Sequence, residues 1–282
     1  MIWQVLVTLS EQFLIFYNFL CRCTYTTICG TERHWEVTHT ATKEILWRTV
    51  AHYSPTLASK SSLLEETKLF LASYTQTGST KLASQMLIDT VLPQRSRQTR
   101  KTIVRILRTR LVQWNPPSWV LDELALFAQD QHPDTFRLAM LLHIARQDRL
   151  LYDFVQQVIV PRWYAKTYKV LRSDVQGFLD DVQEEHLEIT HWSYTTREKL
   201  SRNALTVLRD CKLLKGDAYK HIVSPTVPQQ VVRHLIHLLL AEGINADNLA
   251  HHPDWQLWLW DHVQAQKAVD MVIRQEQTSW TV

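Results

Sequence analysis

The sequence predicts an all-α protein, mainly helical, with one short β-hairpin. Only five Gly and nine Pro occur among 282 residues, which is too few for the many tight turns of a β-sandwich. Helix-forming residues such as Leu, Gln, Arg, Ala and Glu fill most of the chain. From residue 59 onward, apolar residues also recur at the helical spacing. The length allows one large domain or two smaller ones.

Residues 1–48 differ in composition from the rest of the chain. The first twenty, MIWQVLVTLSEQFLIFYNFL, are apolar, but Glu11 would be costly inside a bilayer. No basic residue precedes Arg22, whereas a signal peptide begins with a basic segment. Cys, Thr and aromatic residues crowd the next twenty positions without a clear period. We therefore expect a poorly defined extension, either an over-extended start or a loosely docked segment, and we favour this over a membrane span.

The first regular helix is predicted within SSLLEETKLFLASY, residues 61–74. Its apolar residues follow the i, i+3, i+4, i+7 spacing of a one-sided stripe. Ser62 and Glu65 have the spacing of a capping box at the start of this helix. Gly78 is expected to end it, because glycine readily takes the left-handed conformation after a helix.

Two further helices are predicted before a firm break. One covers residues 79–89 and ends ahead of Pro93, which disfavours helical backbone at the preceding residue. The next covers residues 96–111, with Ser96 as its N-cap. The stretch WNPPSW, residues 114–119, then interrupts the helical pattern and is expected to form a hinge.

Helices separated by short breaks are predicted for the rest of the chain. They cover residues 119–130, 134–147, 148–159, 171–186, 195–211, 228–242 and 254–276. Asp134 is expected to cap the second of these helices, and Pro161 to end the third. The expected organisation is an extension (1–48), an N-terminal helical subdomain (53–114), a central helical segment (119–190), a winged helix–turn–helix (191–225) and C-terminal helices (226–282).

The helix over residues 96–111 carries an unusual basic stripe. The stretch RSRQTRKTIVRILRTRL contains seven basic residues and no acidic one. On a helical wheel, Ile103, Val104, Leu107 and Leu111 share the inward side. The adjacent side holds Arg97, Lys101, Arg105 and Arg108. Such a stripe is self-repulsive in isolation, and phosphates would neutralise it. With the helix over 79–89 it predicts a helix–turn–helix-like element that binds DNA; the alternative is a solvated face, or pairing with distant acids such as those of residues 180–188.

A second candidate surface lies in residues 191–225. The outer face of the helix over 195–211 holds Lys199, Arg202, Thr206 and Arg209, with Asn203 between them. Residues 213–214 and 219–223 follow as a short hairpin. This order is typical of a winged helix–turn–helix, in which Asn203, Thr206 and Arg202 would contact bases and the wing residues Lys215, Lys220 and His221 would contact the DNA backbone. Winged helices also serve as protein-interaction modules, so that alternative stays open.

The sequence gives no indication of catalysis. No P-loop, GxSxG, HExxH or Cys/His dyad motif is present, so we expect no enzyme and no cofactor. Cys21, Cys23, Cys29 and Cys211 lack the second pair of a zinc site, so no metal is expected either. This cysteine usage favours a reducing, cytoplasmic environment. The net charge of +3 is small, so any argument for a polyanionic partner depends on local clustering.

Four stretches resemble successive blocks of the BrxA family, the small helical core components of bacteriophage-exclusion (BREX) defence systems. They are SSLLEETKLFLASY, LPQRSRQTRKTIVRILRTRL, TTREKLSRNALTVLRDCKLLKG and PTVPQQVVRHLIHLL. The resemblance covers roughly residues 53–275. It implies a monomeric all-α protein with two helix–turn–helix elements, sequence-tolerant DNA binding, and a BREX methyltransferase and other BREX proteins as companions. Two features depart from it: residues 1–48 have no counterpart, and Lys212 stands where a glycine is usual.

The sequence therefore predicts a cytoplasmic, non-enzymatic protein of a BREX-type defence system that binds duplex DNA and no membrane. Two basic helix faces would contact phosphates, with limited base contact. The alternatives are a protein-interaction adaptor or scaffold of the same complex, and an RNA-binding helical protein.

Overall fold

Helices make up most of residues 52–278, which are the residues that the computed structural model describes, and this confirms the predicted fold class. All of them belong to the compact unit that covers Ile45–Val282. The extension predicted for residues 1–48 lies outside the described residues. None of the described helices is long and apolar enough to cross a bilayer.

The α-helices are α1 (Thr56–Ser59), α2 (Leu64–Thr77), α3 (Thr80–Met86), α4 (Arg97–Leu111), α5 (Ser118–Gln129), α6 (Pro133–Gln147), α7 (Arg149–Phe154), α8 (Val160–Tyr164), α9 (Arg172–Val182), α10 (Tyr194–Asp210), α11 (Gln229–Ala241) and α12 (His262–Thr278). Two π-helical turns extend α3 and α7, at Leu87–Val91 and Val155–Ile159. Single 3₁₀ segments occur at Leu187–His191, Ala246–His251 and Pro253–Trp258.

Helix α6 forms the centre of the core. Every residue from Leu138 to Arg146 is buried, and a helix without a polar face is stable only when other elements surround it. Helices α4, α5, α7, α10 and α11 pack around it. The apolar faces of α4 and α10 are therefore held against one shared core, which leaves their basic faces to point outward.

Two polar networks accompany this central helix. Arg146 forms ion pairs with Glu242 and, at 3.0 Å from Nε to Oδ2, with the fully buried Asp254. His143 lies 2.9 Å from His234 between their Nε2 atoms, and Nδ1 of His234 lies 2.6 Å from Oε2 of Glu123. Buried charges of this kind are tolerated only with close partners, so both networks tie α6 to distant segments.

The start of α2 differs from the prediction. Leu63, with φ of 55°, occupies the N-cap position and provides no side-chain cap. The predicted capping box of Ser62 and Glu65 is wrong, because Leu63 takes the N-cap position and the Ser62 hydroxyl is directed to Asp210, to which it donates at 2.6 Å. The end of the helix is confirmed, since Gly78 takes the left-handed conformation with φ of 64°.

Three later boundaries also differ. The N-cap of α6 is His132 rather than Asp134, because Pro133 occupies the first helical position, as proline commonly does. The chain remains helical beyond Pro161, since a π-helical turn directly before it changes the hydrogen-bonding pattern that proline would otherwise break. The single helix predicted over 254–276 is divided near Leu259, whose φ of 61° ends the preceding 3₁₀ segment.

The predicted hairpin is present and has an additional partner. Strands β2 (Leu214–Lys215) and β3 (Lys220–Ile222) pair antiparallel. Strand β1 (Lys169–Val170), which the sequence did not predict, pairs with the other edge of β3, so the order is β1-β3-β2. Lys212, just before this hairpin, has a positive φ of 69°. This conformation suits glycine, which gives a physical reason for the glycine that the family resemblance places there.

Candidate nucleic-acid interface

Helix α4 presents the first predicted basic stripe. It begins after the Ser96 cap, whose hydroxyl accepts from the backbone N–H of Thr99 at 3.4 Å, as predicted. The predicted inner face is buried, from Ile103 to Leu111. The side chains of Arg97, Lys101 and Arg105 are exposed and that of Arg108 is half-buried. The stripe therefore lies on the solvent side of a helix whose opposite side is fixed in the core.

The charges of this stripe are largely unneutralised. Arg97 pairs with Asp89 at 3.0 Å, near the end of the preceding helix. Among the described side chains, those of residues 52–275, no carboxylate forms an ion pair with Lys101, Arg105 or Arg108. Two of the five acids of residues 180–188 have other partners: Asp180 pairs with Arg197, and Glu188 accepts from the backbone N–H of Tyr53. In the described residues, the α4 stripe therefore does not pair with the acids of residues 180–188, which was the alternative.

The other three basic residues of the stretch serve different purposes. Arg95 is exposed, and Arg100 donates to the backbone carbonyl of Gln94 at 3.0 Å. Arg110 is buried and donates to the carbonyls of Ser62 and Ser61, at 2.7 and 3.0 Å. Burial lowers the pKa of Arg110 to about 10. One of the seven cations therefore stabilises the fold rather than facing solvent.

Helix α10 presents the second predicted face, part of which contacts the rest of the protein. Its inner residues Leu200, Ala204, Val207 and Leu208 are buried as predicted. The short helix α1 packs against it, and the side-chain amide of Asn203 donates to the carbonyl of Leu57 at 2.7 Å. The Thr206 hydroxyl donates to the carbonyl of Arg202 at 2.9 Å. Asn203 thus anchors α1, a role that its predicted place on the outer face did not indicate.

Nearby groups already engage two cations of this second face, one through carboxylates and one through a backbone carbonyl. Arg209 pairs with Asp217 at 2.9 Å and with Asp210 at 3.3 Å. The ammonium of Lys220 donates to the carbonyl of Asp217 at 3.0 Å. Of the predicted residues here, the exposed cations without a carboxylate partner in the described part of the chain are Lys199, Arg202 and Lys215.

Strand β1 adds a basic residue that the sequence analysis missed. Lys169 pairs with His221 across β1 and β3, and Lys215 pairs with the same His221 across β2 and β3. Directly opposed residues of neighbouring strands point to the same face. Lys169, His221 and Lys215 therefore form a row across the exposed side of the sheet, and the Lys169 ammonium lies 4.4 Å from the ring centroid of Tyr219. A two-residue strand is too short to give a period, so the sequence contained no usable signal for it.

Segment 61–62 connects the two helices near their C-terminal ends. Arg110 of α4 donates to the Ser62 carbonyl, and the Ser62 hydroxyl donates to Asp210 of α10. These bonds involve buried or half-buried groups, whose loss is costly. The two basic faces are thereby attached to one rigid framework.

Comparison with known proteins agrees with this architecture. The chain is similar to the crystal structure of an uncharacterized protein from Magnetospirillum magneticum, with a TM-score of 0.55, 17% identity, and coverage of 68% of this chain and 96% of that one. At this identity the likeness shows the fold alone. No curated protein shows significant similarity to the chain. The family model BrxA matches residues 51–238, a region that includes both basic helices and the three-stranded sheet and is more than half of the sequence. The chain therefore belongs to the BrxA family.

Proposed function

We propose that the protein is a non-enzymatic, cytoplasmic component of a BREX-type phage-defence system that binds duplex DNA through phosphate contacts. Membership of the BrxA family suggests a BREX-associated phage-defence protein. The observation that carries the DNA-binding proposal is the stripe of α4, in which Lys101, Arg105 and Arg108 have no carboxylate partner among the side chains of residues 52–275.

Phosphates are the partners that this stripe fits best. Adjacent like charges on one helix face repel each other, and counterions must accumulate there when no protein carboxylate neutralises them. Binding to DNA releases those counterions together with the ones condensed on the phosphates, which supplies most of the sequence-independent affinity. The helix is rigid because its other side is buried against α6, so its cations are held at fixed spacing.

A smaller second contact is proposed at α10 and the sheet. Lys199 and Arg202 would contribute from the helix, and the row of Lys169, His221 and Lys215 from the sheet. Base contact would be limited, because the amide nitrogen of Asn203 already donates to Leu57. This predicts binding that depends little on DNA sequence.

Protein partners follow from the same proposal. We expect the chain to act as a monomer, with a BREX methyltransferase and other BREX proteins as companions. If the basic faces instead contact acidic protein surfaces, the chain would be an adaptor of that complex, and if they contact an A-form duplex it would be an RNA-binding protein.

Salt dependence of DNA binding tests the proposal. Fluorescence anisotropy of the full chain with a labelled duplex is expected to give a log–log slope against salt of about −3 to −5, since three to six phosphate contacts contribute roughly 0.9 each. Several unrelated duplex sequences should bind alike. Absence of binding at low salt and micromolar protein would favour the adaptor, whereas preferential competition by structured RNA would favour the RNA-binding alternative.

A further inference from the structure

A polar cavity of about 760 Å³ lies beside the sheet, and none of its lining residues belongs to the stripe of α4. It is bounded by residues 60–66, the C-terminal end of α10 and the first strand of the hairpin. Its basic lining residues are Lys60, Arg137, Arg209, Lys212 and Lys215. We propose that this cavity is a binding site for a phosphate-bearing ligand of nucleotide size; it shares Lys215 with the proposed second DNA contact but contains no residue of the α4 stripe.

The charge balance of the cavity favours an anion. Five basic side chains line it, against the three acids Glu65, Glu66 and Asp210. Glu65 pairs with Lys68 at 3.0 Å, Glu66 accepts from Gln94 at 3.1 Å, and Asp210 accepts from Ser62 and pairs with Arg209, which also pairs with Asp217. Lys60 and Lys215 have no carboxylate partner in the described part of the chain, so the positive charge of the lining is not fully neutralised.

Two of the lining cations share a single carboxylate. Lys212 lies 3.1 Å and Arg137 lies 3.9 Å from the same Oδ1 of Asp134. One carboxylate cannot neutralise two cations, so the pair retains a net positive charge. A phosphate with several acceptor oxygens could accept hydrogen bonds from both at once, which the single carboxylate does not achieve at these distances.

The backbone around the cavity is conformationally unusual. Lys212 and Leu63 both have positive φ, at 69° and 55°, and both line the cavity, as does Gly216 at 98°. Non-glycine residues at positive φ are uncommon and tend to occur at functional sites. Glycine would adopt the positive φ at position 212 with less strain, whereas lysine adds an ammonium group to the cavity wall.

The start of α2 also favours an anion here. Leu63 provides no side-chain cap, and residues 64–66 of the first turn line the cavity. Their backbone N–H groups belong to the set that a helix leaves without intrahelical acceptors, and the helix dipole favours negative charge at this end. The volume lies within the range of small-molecule sites. The phosphate could therefore come from a nucleotide or from a terminal phosphate of DNA.

The variant Lys212→Gly tests the site without endangering the fold. Isothermal titration of the full chain with inorganic pyrophosphate and with ATP is expected to show binding that weakens at least tenfold in this variant. Its melting temperature should be equal or higher, because glycine suits the positive φ. Lys166→Gly is the matched control: Lys166 is likewise a lysine at positive φ, 57°, and its exposed side chain is not part of the cavity. It should leave binding unchanged.

Further experiments distinguish a nucleotide from a DNA end as the ligand, and the cavity proposal from the DNA-binding proposal. Lys60→Ala, a second change in the cavity wall, should also weaken pyrophosphate binding. If a 5′-phosphorylated duplex loses affinity in Lys212→Gly while the unphosphorylated duplex and ATP show no effect, the ligand is a DNA end. Equal loss in both glycine variants, or no binding of pyrophosphate, ATP or the phosphorylated end, would overturn the site. Because the α4 stripe is not part of this cavity, reversing the charges of Lys101 and Arg105 should strongly weaken duplex binding yet preserve pyrophosphate binding, so each proposal can fail alone.

Discussion

The stripe of α4 and the outer face of α10 look alike in the sequence but differ in the folded protein. Both show cations at helical spacing beside a buried apolar face. On α4 only Arg97 has a carboxylate partner in the described chain, Asp89. On α10 the carboxylates of Asp210 and Asp217 engage Arg209, while α1 covers Asn203. The number of basic residues on a helix therefore overestimates how many of them can bind phosphates, because residues from turns and distant segments can already accept their hydrogen bonds.

The largest expected effect concerns the open stripe. Lys101→Glu with Arg105→Glu should weaken duplex binding ~100-fold, because each reversal removes one phosphate contact and adds a repulsion, together worth roughly 1–1.5 kcal/mol per site. Anisotropy titrations at fixed salt would measure it. The matched control is Arg233→Glu with Lys267→Glu, which has the same charge change at exposed positions outside both faces. Equal losses in the two double variants would mean that only net charge matters, and the assignment of the stripe would fail.

A smaller effect is expected at the second face. Lys199→Glu with Arg202→Glu should weaken DNA binding about tenfold. The effect is smaller than at α4 because other polar groups of α10 already have partners within the protein, which leaves fewer groups to contact phosphates. The same titrations, with the same control pair, would measure the difference between the two helices. A loss larger than that of the α4 variant would reverse the ranking and make α10 the main contact.

The smallest expected effect has the opposite sign. Asp217 is 94% exposed at the hairpin tip and pairs with Arg209. Asp217→Asn should remove one of the two carboxylates that pair with Arg209, while Asp210 remains at 3.3 Å. The loss of this negative charge near the sheet should raise DNA affinity roughly twofold to threefold, as is usual for one weak exposed ion pair. Asp181→Asn, which changes an exposed acid that belongs to neither face, should leave affinity unchanged. Weaker binding in Asp217→Asn would show that the pair positions Arg209 instead of occupying it.

Local patterns predicted the helices well and some of their ends poorly. The inner faces of α4 and α10, the Ser96 cap and the Gly78 terminus agree with the sequence, because each depends on residues within one or two turns. Ser62 failed as a cap because Leu63 takes the N-cap position and the Ser62 side chain is directed to Asp210, 148 positions away, to which it donates. Pro161 failed as a helix end because a π-helical turn precedes it. In each case the deciding feature was a distant residue or a backbone conformation that the local sequence pattern does not reveal.

The candidate sites show the same division between what the local sequence predicts and what the tertiary structure decides. The sequence by itself determined which residues are basic and on which side of a helix they fall, because helical geometry repeats every 3.6 residues. It also carried the family resemblance that the BrxA match confirms. Only the tertiary structure decided that Arg110 is buried, that Asn203 holds α1, and that Lys169 joins His221 and Lys215 in one row. Ion pairs and hydrogen bonds form between groups within a few ångströms, and which groups come that close is set by the path of the whole chain.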